Sequence, residues 1–115
     1  MFDQVTFTEV AGPKSSGRLQ VLALSTCGFC KRGMDFLRTK EIAFEFVYLD
    51  LVEADLKLKS KDEFRQKFGI NLSYPSLVKD GEAYTLGYIQ RYWEEFLGLP
   101  HPDEADEADE AEPVE

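Results

Sequence analysis

Apolar and polar positions along this chain switch between a period of two and a period near 3.6, and the switches mark the elements. Residues 2–10 alternate, with Val5, Phe7 and Glu9 on one side and Thr6, Thr8 and Val10 on the other, in a stretch rich in strand-favouring side chains. That pattern fits an extra edge strand or an ordered arm, and a loose N-terminal segment about as well. Residues 11–17 (Ala-Gly-Pro-Lys-Ser-Ser-Gly) form a turn-rich linker. The near-continuous apolar run from Arg18 to Leu24 predicts a central strand covered on both faces. From Gly28 to Thr39 the period becomes helical: Cys30, Met34 and Leu37 share one face, Lys31, Arg32 and Asp35 face solvent, and Gly33 permits close packing against the sheet.

Residues 43–49 predict a second strong strand, ended by Asp50. Residues 51–68 predict a helix that is clearest from Ser60 onward. There Ser60 is the expected N-cap and Glu63 completes a capping box. Phe64 and Phe68 should face the core, and Gly69 should stop the helix. After a loop over 71–75, residues 76–78 and 82–86 predict two short strands joined by the two-residue turn Asp80-Gly81. Residues 88–97 predict a last helix with an apolar stripe of Ile89, Trp93, Phe96 and Leu97, stopped by Gly98 and Pro100.

Composition narrows the class. At 115 residues, with 43% hydrophobic and 13% aromatic side chains, the chain suits one small domain with one core. No apolar run approaches the ~20 residues of a membrane helix. The N-terminus lacks the basic-then-apolar pattern of a signal peptide. A cytoplasmic protein with no membrane association is therefore expected. The net charge of −9 is concentrated at one end: residues 103–115 hold eight acidic groups and no basic one, which leaves the remainder at −1. No basic footprint for nucleic acid is present. Asp-Glu-Ala recurs three times from 103 to 111, so residues 100–115 read as a disordered acidic tail, most simply a solubility device and alternatively a dock for a basic partner.

The chemistry concentrates at Cys27-Gly28-Phe29-Cys30, which holds the only two cysteines, between a predicted strand and a predicted helix. Cys-x-x-Cys in that setting is the arrangement of thiol–disulfide exchange. Metal or cluster ligation and an inert pair are the alternatives. A four-ligand zinc site needs more soft ligands than this chain has, His101 at the edge of the acidic tail being the one other candidate, so no metal site is expected. A reducing compartment makes a catalytic pair more natural than a structural staple. Cys27 precedes the helix, where unpaired N–H groups and the helix dipole stabilise a thiolate, so it is the expected nucleophile. Cys30, inside the first turn, is the expected resolving thiol. Thr26 and Phe29 are expected at the rim of the site.

The order strand, Cys-x-x-Cys helix, strand, helix, hairpin, helix, with Pro75 entering the third strand, resembles the glutaredoxins of the thioredoxin-fold superfamily. The resemblance covers about residues 18–99 and rests on Cys27-Gly28-Phe29-Cys30, Ser73-Tyr74-Pro75, Asp80-Gly81 and Gly87. It implies an α/β thioredoxin-like fold: a four-stranded mixed sheet with helices on both faces, to which residues 1–17 would add an arm or a further strand. It also implies a cis bond before Pro75, with Pro75 against the Cys pair. Tyr74, Pro75, Gly87 and Tyr88 then join Thr26 and Phe29 as the expected substrate-binding rim, the Tyr74 backbone pairing with an extended substrate segment.

The activity implied is that of a redox-active oxidoreductase in electron transport, reducing protein disulfides or glutathione mixed disulfides through Cys27 and Cys30. The alternative implied by Cys-Gly-Phe is carriage of an iron–sulfur cluster by a dimer. Three departures bear on the electron donor. Leu24 stands where a Lys or Arg is usual, Leu86 replaces the first glycine of a Gly-Gly pair, and Gln90 stands where an Asp would contact the ligand. Each lost charged hydrogen bond is worth on the order of 1.5–3 kcal/mol. No tightly bound cofactor is expected, and a flavoprotein reductase is a better electron donor than glutathione. A monomer acting on a disulfide-containing protein is the expected working form.

Overall fold

The computed structural model describes residues 1–99 of the chain; the acidic tail expected over 100–115 lies outside them. Five strands form one mixed sheet: β1 (Thr8–Val10), β2 (Leu19–Ala23), β3 (Phe44–Tyr48), β4 (Ser76–Lys79) and β5 (Ala83–Leu86). Three helices, α1 (Gly28–Thr39), α2 (Ala54–Phe68) and α3 (Gln90–Leu97), complete the fold. The sheet order is β1-β3-β2-β4-β5, parallel only between β2 and β3. All five residues of β2 are buried, as a central strand with both faces covered requires.

Side-chain alternation along β2 divides the core. Leu19, Val21 and Ala23 join α1 and α3 on one face, with Met34, Leu37 and Trp93. Leu22 joins Val47, Val78 and Phe64 of α2 on the other. The β2–α1–β3 crossover places the ends of β2 and β3 side by side, and antiparallel β4 begins at that same end. The hairpin at Asp80-Gly81 has positive φ at both residues (56° and 68°) and returns β5 beside β4.

Several expectations change in detail. The N-terminal segment is not a strand from residue 2: β1 has three residues, paired antiparallel with β3. The preceding residues instead turn back, and Phe2 and Val5 are buried in the α2-side core. Phe2 N–H donates to Glu63 Oε1 at 2.9 Å, so Glu63 anchors the N-terminus and is not part of a capping box. Ser60 is likewise no cap. α2 starts six residues earlier, with Glu53 at its N-cap and no side-chain cap bond. Ser60 is buried mid-helix one turn before Phe64, where a small side chain suits close packing.

Gly69 stops α2 as expected, at φ 74°. Gly33 does allow a close approach, but by Trp93 of α3, not by the sheet: a Cβ on Gly33 would lie 2.7 Å from Trp93 Cη2. Ile89 is not part of the apolar stripe. It precedes the first turn of α3 and is exposed, because the helix begins two residues later than its apolar pattern suggests.

Candidate active site

The loop between β2 and α1 carries the two thiols. Cys27 has extended backbone (φ −92°, ψ 117°) and is the N-cap of α1. Its own N–H donates to Leu24 O at 3.2 Å, and its carbonyl accepts from Lys31 N–H at 3.1 Å, opening the helix. Its sulfur takes the place of the usual capping oxygen: Cys30 N–H donates to Cys27 Sγ at 3.2 Å. A backbone donor at a helix start stabilises negative charge on that sulfur. No disulfide joins the two sulfurs; Cys27 is half-buried and Cys30 fully buried. Burial, then the hydrogen bond to Cys27, push the Cys30 thiol up to about 12, helped by the Cys27 charge and opposed by backbone hydrogen bonds at Leu24 and Cys30. The two sulfurs thus differ sharply in exposure, and Cys30 holds its proton at neutral pH.

A second element fixes the loop. Asp50, just past β3, accepts from Ser25 N–H at 2.9 Å and from Ser25 Oγ at 2.6 Å. These bonds hold its carboxyl below the usual carboxylate range. Asp50 was read from sequence only as the end of a strand. The parallel register supplies the missing signal: Ala23 pairs with Tyr48, and the same offset two residues on sets Ser25 beside Asp50.

The Tyr74–Pro75 peptide is cis, and Pro75 is buried. Gly87, at φ 70°, donates its N–H to Pro75 O at 2.7 Å and accepts from Trp93 Nε1 at 2.9 Å. This joins the proline loop to the turn before α3. Ser76 Oγ donates to Ser73 O within the same loop. Cys27, Tyr74 and Tyr88 all pack against the core cluster that contains Cys30. Tyr88 leans on Phe36 and Trp93, with centroids 6.0 and 4.9 Å away. Burial, aided by Glu94, pushes its phenol up to about 12. Thr26 and Phe29 are exposed on the opposite lip, with Arg32 4.8 Å over the Phe29 ring.

Topology therefore brings Thr26, Cys27, Phe29, Cys30, Tyr74, Pro75, Gly87 and Tyr88 to one end of the sheet. Tyr88 sits more as packing than as an open wall. Leu51 and Ile89, which sequence reading did not assign to the site, come to that end on the β3–α2 and β5–α3 connections. Exposure is 69% for Leu51, 56% for Ile89 and 55% for Phe29, high for large apolar groups. Arg65 pairs with Asp62 at 3.2 Å and lines a groove with Gly69, Ile70 and Asn71. Among the described residues no cluster of three or more His, Cys, Asp or Glu is placed to hold a metal ion, and no helix is long and apolar enough to cross a membrane.

Tyr74 has a feature of its own. Among the described residues, its hydroxyl is a buried side-chain polar atom with no hydrogen-bond partner. Burial, then the charges of Asp50 and Cys30, push its phenol up, so it remains a proton-bearing donor. An unsatisfied buried hydroxyl costs about 1–3 kcal/mol of stability.

No protein-family model matches the sequence, and no curated protein matches it. Solved structures do. The glutaredoxin from Methanosarcina mazei Go1 superposes with a TM-score of 0.71 at 25% identity, over 83% of this chain and 90% of that one. Methanoredoxin from Methanosarcina acetivorans gives a TM-score of 0.69 at 24% identity, over 83% of this chain and 97% of that one. The glutaredoxin grx-1 from Archaeoglobus fulgidus is 30% identical, with a TM-score of 0.60, over 69% of this chain and 84% of that one. Fold and thiol pair together are of the thiol–disulfide oxidoreductase class. Within that class, the chain belongs to the glutaredoxin family.

Proposed function

We propose that this protein reduces disulfides in protein substrates, glutathione mixed disulfides included, through the Cys27/Cys30 dithiol. The observation that carries the reading is the asymmetry of the pair. Cys27 Sγ sits at the start of α1 and receives the Cys30 N–H, while the Cys30 thiol is buried and holds its proton. The Cys27 thiolate attacks one sulfur of the substrate disulfide. A Cys27–substrate bond forms, the substrate S–S bond breaks, and the departing thiolate takes a proton from water. Cys30 then loses its proton to solvent and attacks Cys27 Sγ, releasing the second substrate thiol. Two electrons pass to the substrate, and the protein is left with a Cys27–Cys30 disulfide.

Tyr74 beside Pro75 offers an extended segment for strand-like pairing with the substrate. Exposed Phe29, Leu51 and Ile89 frame an apolar approach that suits a protein partner better than a small charged peptide. Thr26 and Gly87 complete the rim, with the Gly87 N–H already committed to Pro75. A flavoprotein reductase is the electron donor that fits the surroundings. Leu24 brings no charge, and the Gln90 side chain is drawn to Glu94 Oε2 at 3.1 Å. The working form in this reading is a cytoplasmic monomer without a tightly bound cofactor.

The test is a pair of substitutions assayed with a disulfide-bonded protein such as insulin. Cys27→Ser should abolish reduction, and Cys30→Ser should accumulate a mixed disulfide with the substrate, visible as a mass adduct removed by reductant. Full activity in Cys27→Ser would sink the assignment.

A further inference from the structure

The turn that leads into Cys27 is held from outside by one residue. Cys27 N–H closes that turn on Leu24 O at 3.2 Å, which makes Ser25 and Thr26 its two central residues. Both are exposed, so burial does not fix them. Asp50 does: it accepts from Ser25 N–H at 2.9 Å and from Ser25 Oγ at 2.6 Å. Asp50 itself stands on a rigid base. Leu49 N–H, just before it, donates to Ala23 O at 2.9 Å, and Leu51 N–H, just after it, donates to Tyr48 O at 3.0 Å. Exposed bonds of this kind add little to stability, because water competes for both partners. What they fix is the path into Cys27, whose extended backbone (φ −92°, ψ 117°) turns its sulfur toward the Cys30 N–H, with N and Sγ 3.2 Å apart.

We propose that Asp50 is a positioning residue for the thiol chemistry: through Ser25 it locks the turn that seats Cys27 Sγ on the Cys30 N–H. The inference rests on the dithiol reading above and adds to it a residue from the end of a neighbouring strand. The charge of Asp50 works against this role, since a carboxylate near a thiolate disfavours it. Charge and positioning therefore push the reactivity of Cys27 in opposite directions, and positioning is the larger of the two. The charge also reaches Lys57 on α2 and Tyr74 on the proline loop, but the side-chain hydrogen bond that holds the carboxyl is the one from Ser25.

The test follows alkylation of Cys27 by iodoacetamide, a neutral reagent, across pH on the full chain, with peptide mass mapping to tell Cys27 from Cys30. Ser25→Ala removes the Oγ bond and leaves the charge of Asp50 in place. Asp50→Asn removes the charge and keeps at most one of the two bonds. Both variants should react more slowly near neutrality, by about 3- to 10-fold, as partial loss of one hydrogen bond to a charged sulfur implies. Both rate profiles should also move to higher pH. Ser25→Thr, which keeps the hydroxyl, should react within about twofold of the wild type. A tether that served stability alone would lower the melting temperature and leave these profiles in place. Unchanged rates in both variants overturn the inference. So does faster alkylation in Asp50→Asn with an unchanged Ser25→Ala, because charge alone would then be acting. Neither result touches the dithiol reading, which falls separately if Cys27→Ser still reduces insulin.

Discussion

Asp50 holds Ser25 through two hydrogen bonds, and Ser25 stands two residues before Cys27. The link is exposed and open to salt screening, so it is more a positioning device than a large source of stability. Its pH dependence has a definite sign. The folded carboxyl titrates below its ordinary value of 3.8, so the link stabilises the fold above that value and is lost as the pH falls through the lower folded one. Asp50→Asn keeps an acceptor but loses the charge. Denaturant titrations should show the variant less stable than the wild type by a constant amount from neutrality to about pH 5, with the gap closing below the ordinary carboxylate value. A gap that widened on acidification would contradict the assignment. The Cys pair and Pro75 were legible in the sequence because each motif carries its spacing within a few residues. Asp50 was not, since its partner lies 25 residues away and meets it only through strand register. The Tyr74 hydroxyl was illegible for the same kind of reason: its lack of a partner is a property of the packed interior.

Helix α1 and helix α3 meet where Gly33 leaves room for the Trp93 ring. The ring is fully buried, so it has little space to retreat. Gly33→Ala would gain roughly 1 kcal/mol in helix propensity. Overpacking of this kind costs typically 1–3 kcal/mol, and with a rigid indole on the other side the upper part of that range applies. A net loss of about 1–2 kcal/mol in urea unfolding is expected; a more stable variant would show that the helices part easily. α1 itself was readable to its ends, because one period runs from the N-cap cysteine to Thr39. α2 was not. Its first turns have no side-chain cap and a weak apolar face, and Ser60, a good cap in isolation, is buried in the middle. Tertiary packing overrode a local signal there. The same holds for Ile89, whose apolar character fitted a helix that starts only at Gln90.

The molecule as a whole keeps its chemistry at one end of the sheet and uses the N-terminus to close one face. Phe2 and Val5 cover part of the α2-side core, Phe2 N–H is tied to Glu63, and β1 lies along the outer edge of β3. Sequence alternation showed that residues 2–10 could form a strand, yet it could not show that Phe2, at φ 65°, turns the chain back into the core. Phe2→Ala should cost about 3–5 kcal/mol, as burial of a large aromatic implies. Its rate of insulin disulfide reduction should be nearly unchanged, because Phe2 packs in the α2-side core and is tied to Glu63, away from the thiols. A loss below about 1 kcal/mol would show that the arm is only loosely held.

Trp93 stands between two walls: its ring rests on Gly33 of the helix that bears the thiols, and its indole nitrogen is fastened to Gly87, which is itself fastened to Pro75. The ring is therefore a spacer between the thiol-bearing helix and the proline loop. One aromatic ring thus ties the spacing of those two elements together, as a shim does between two plates.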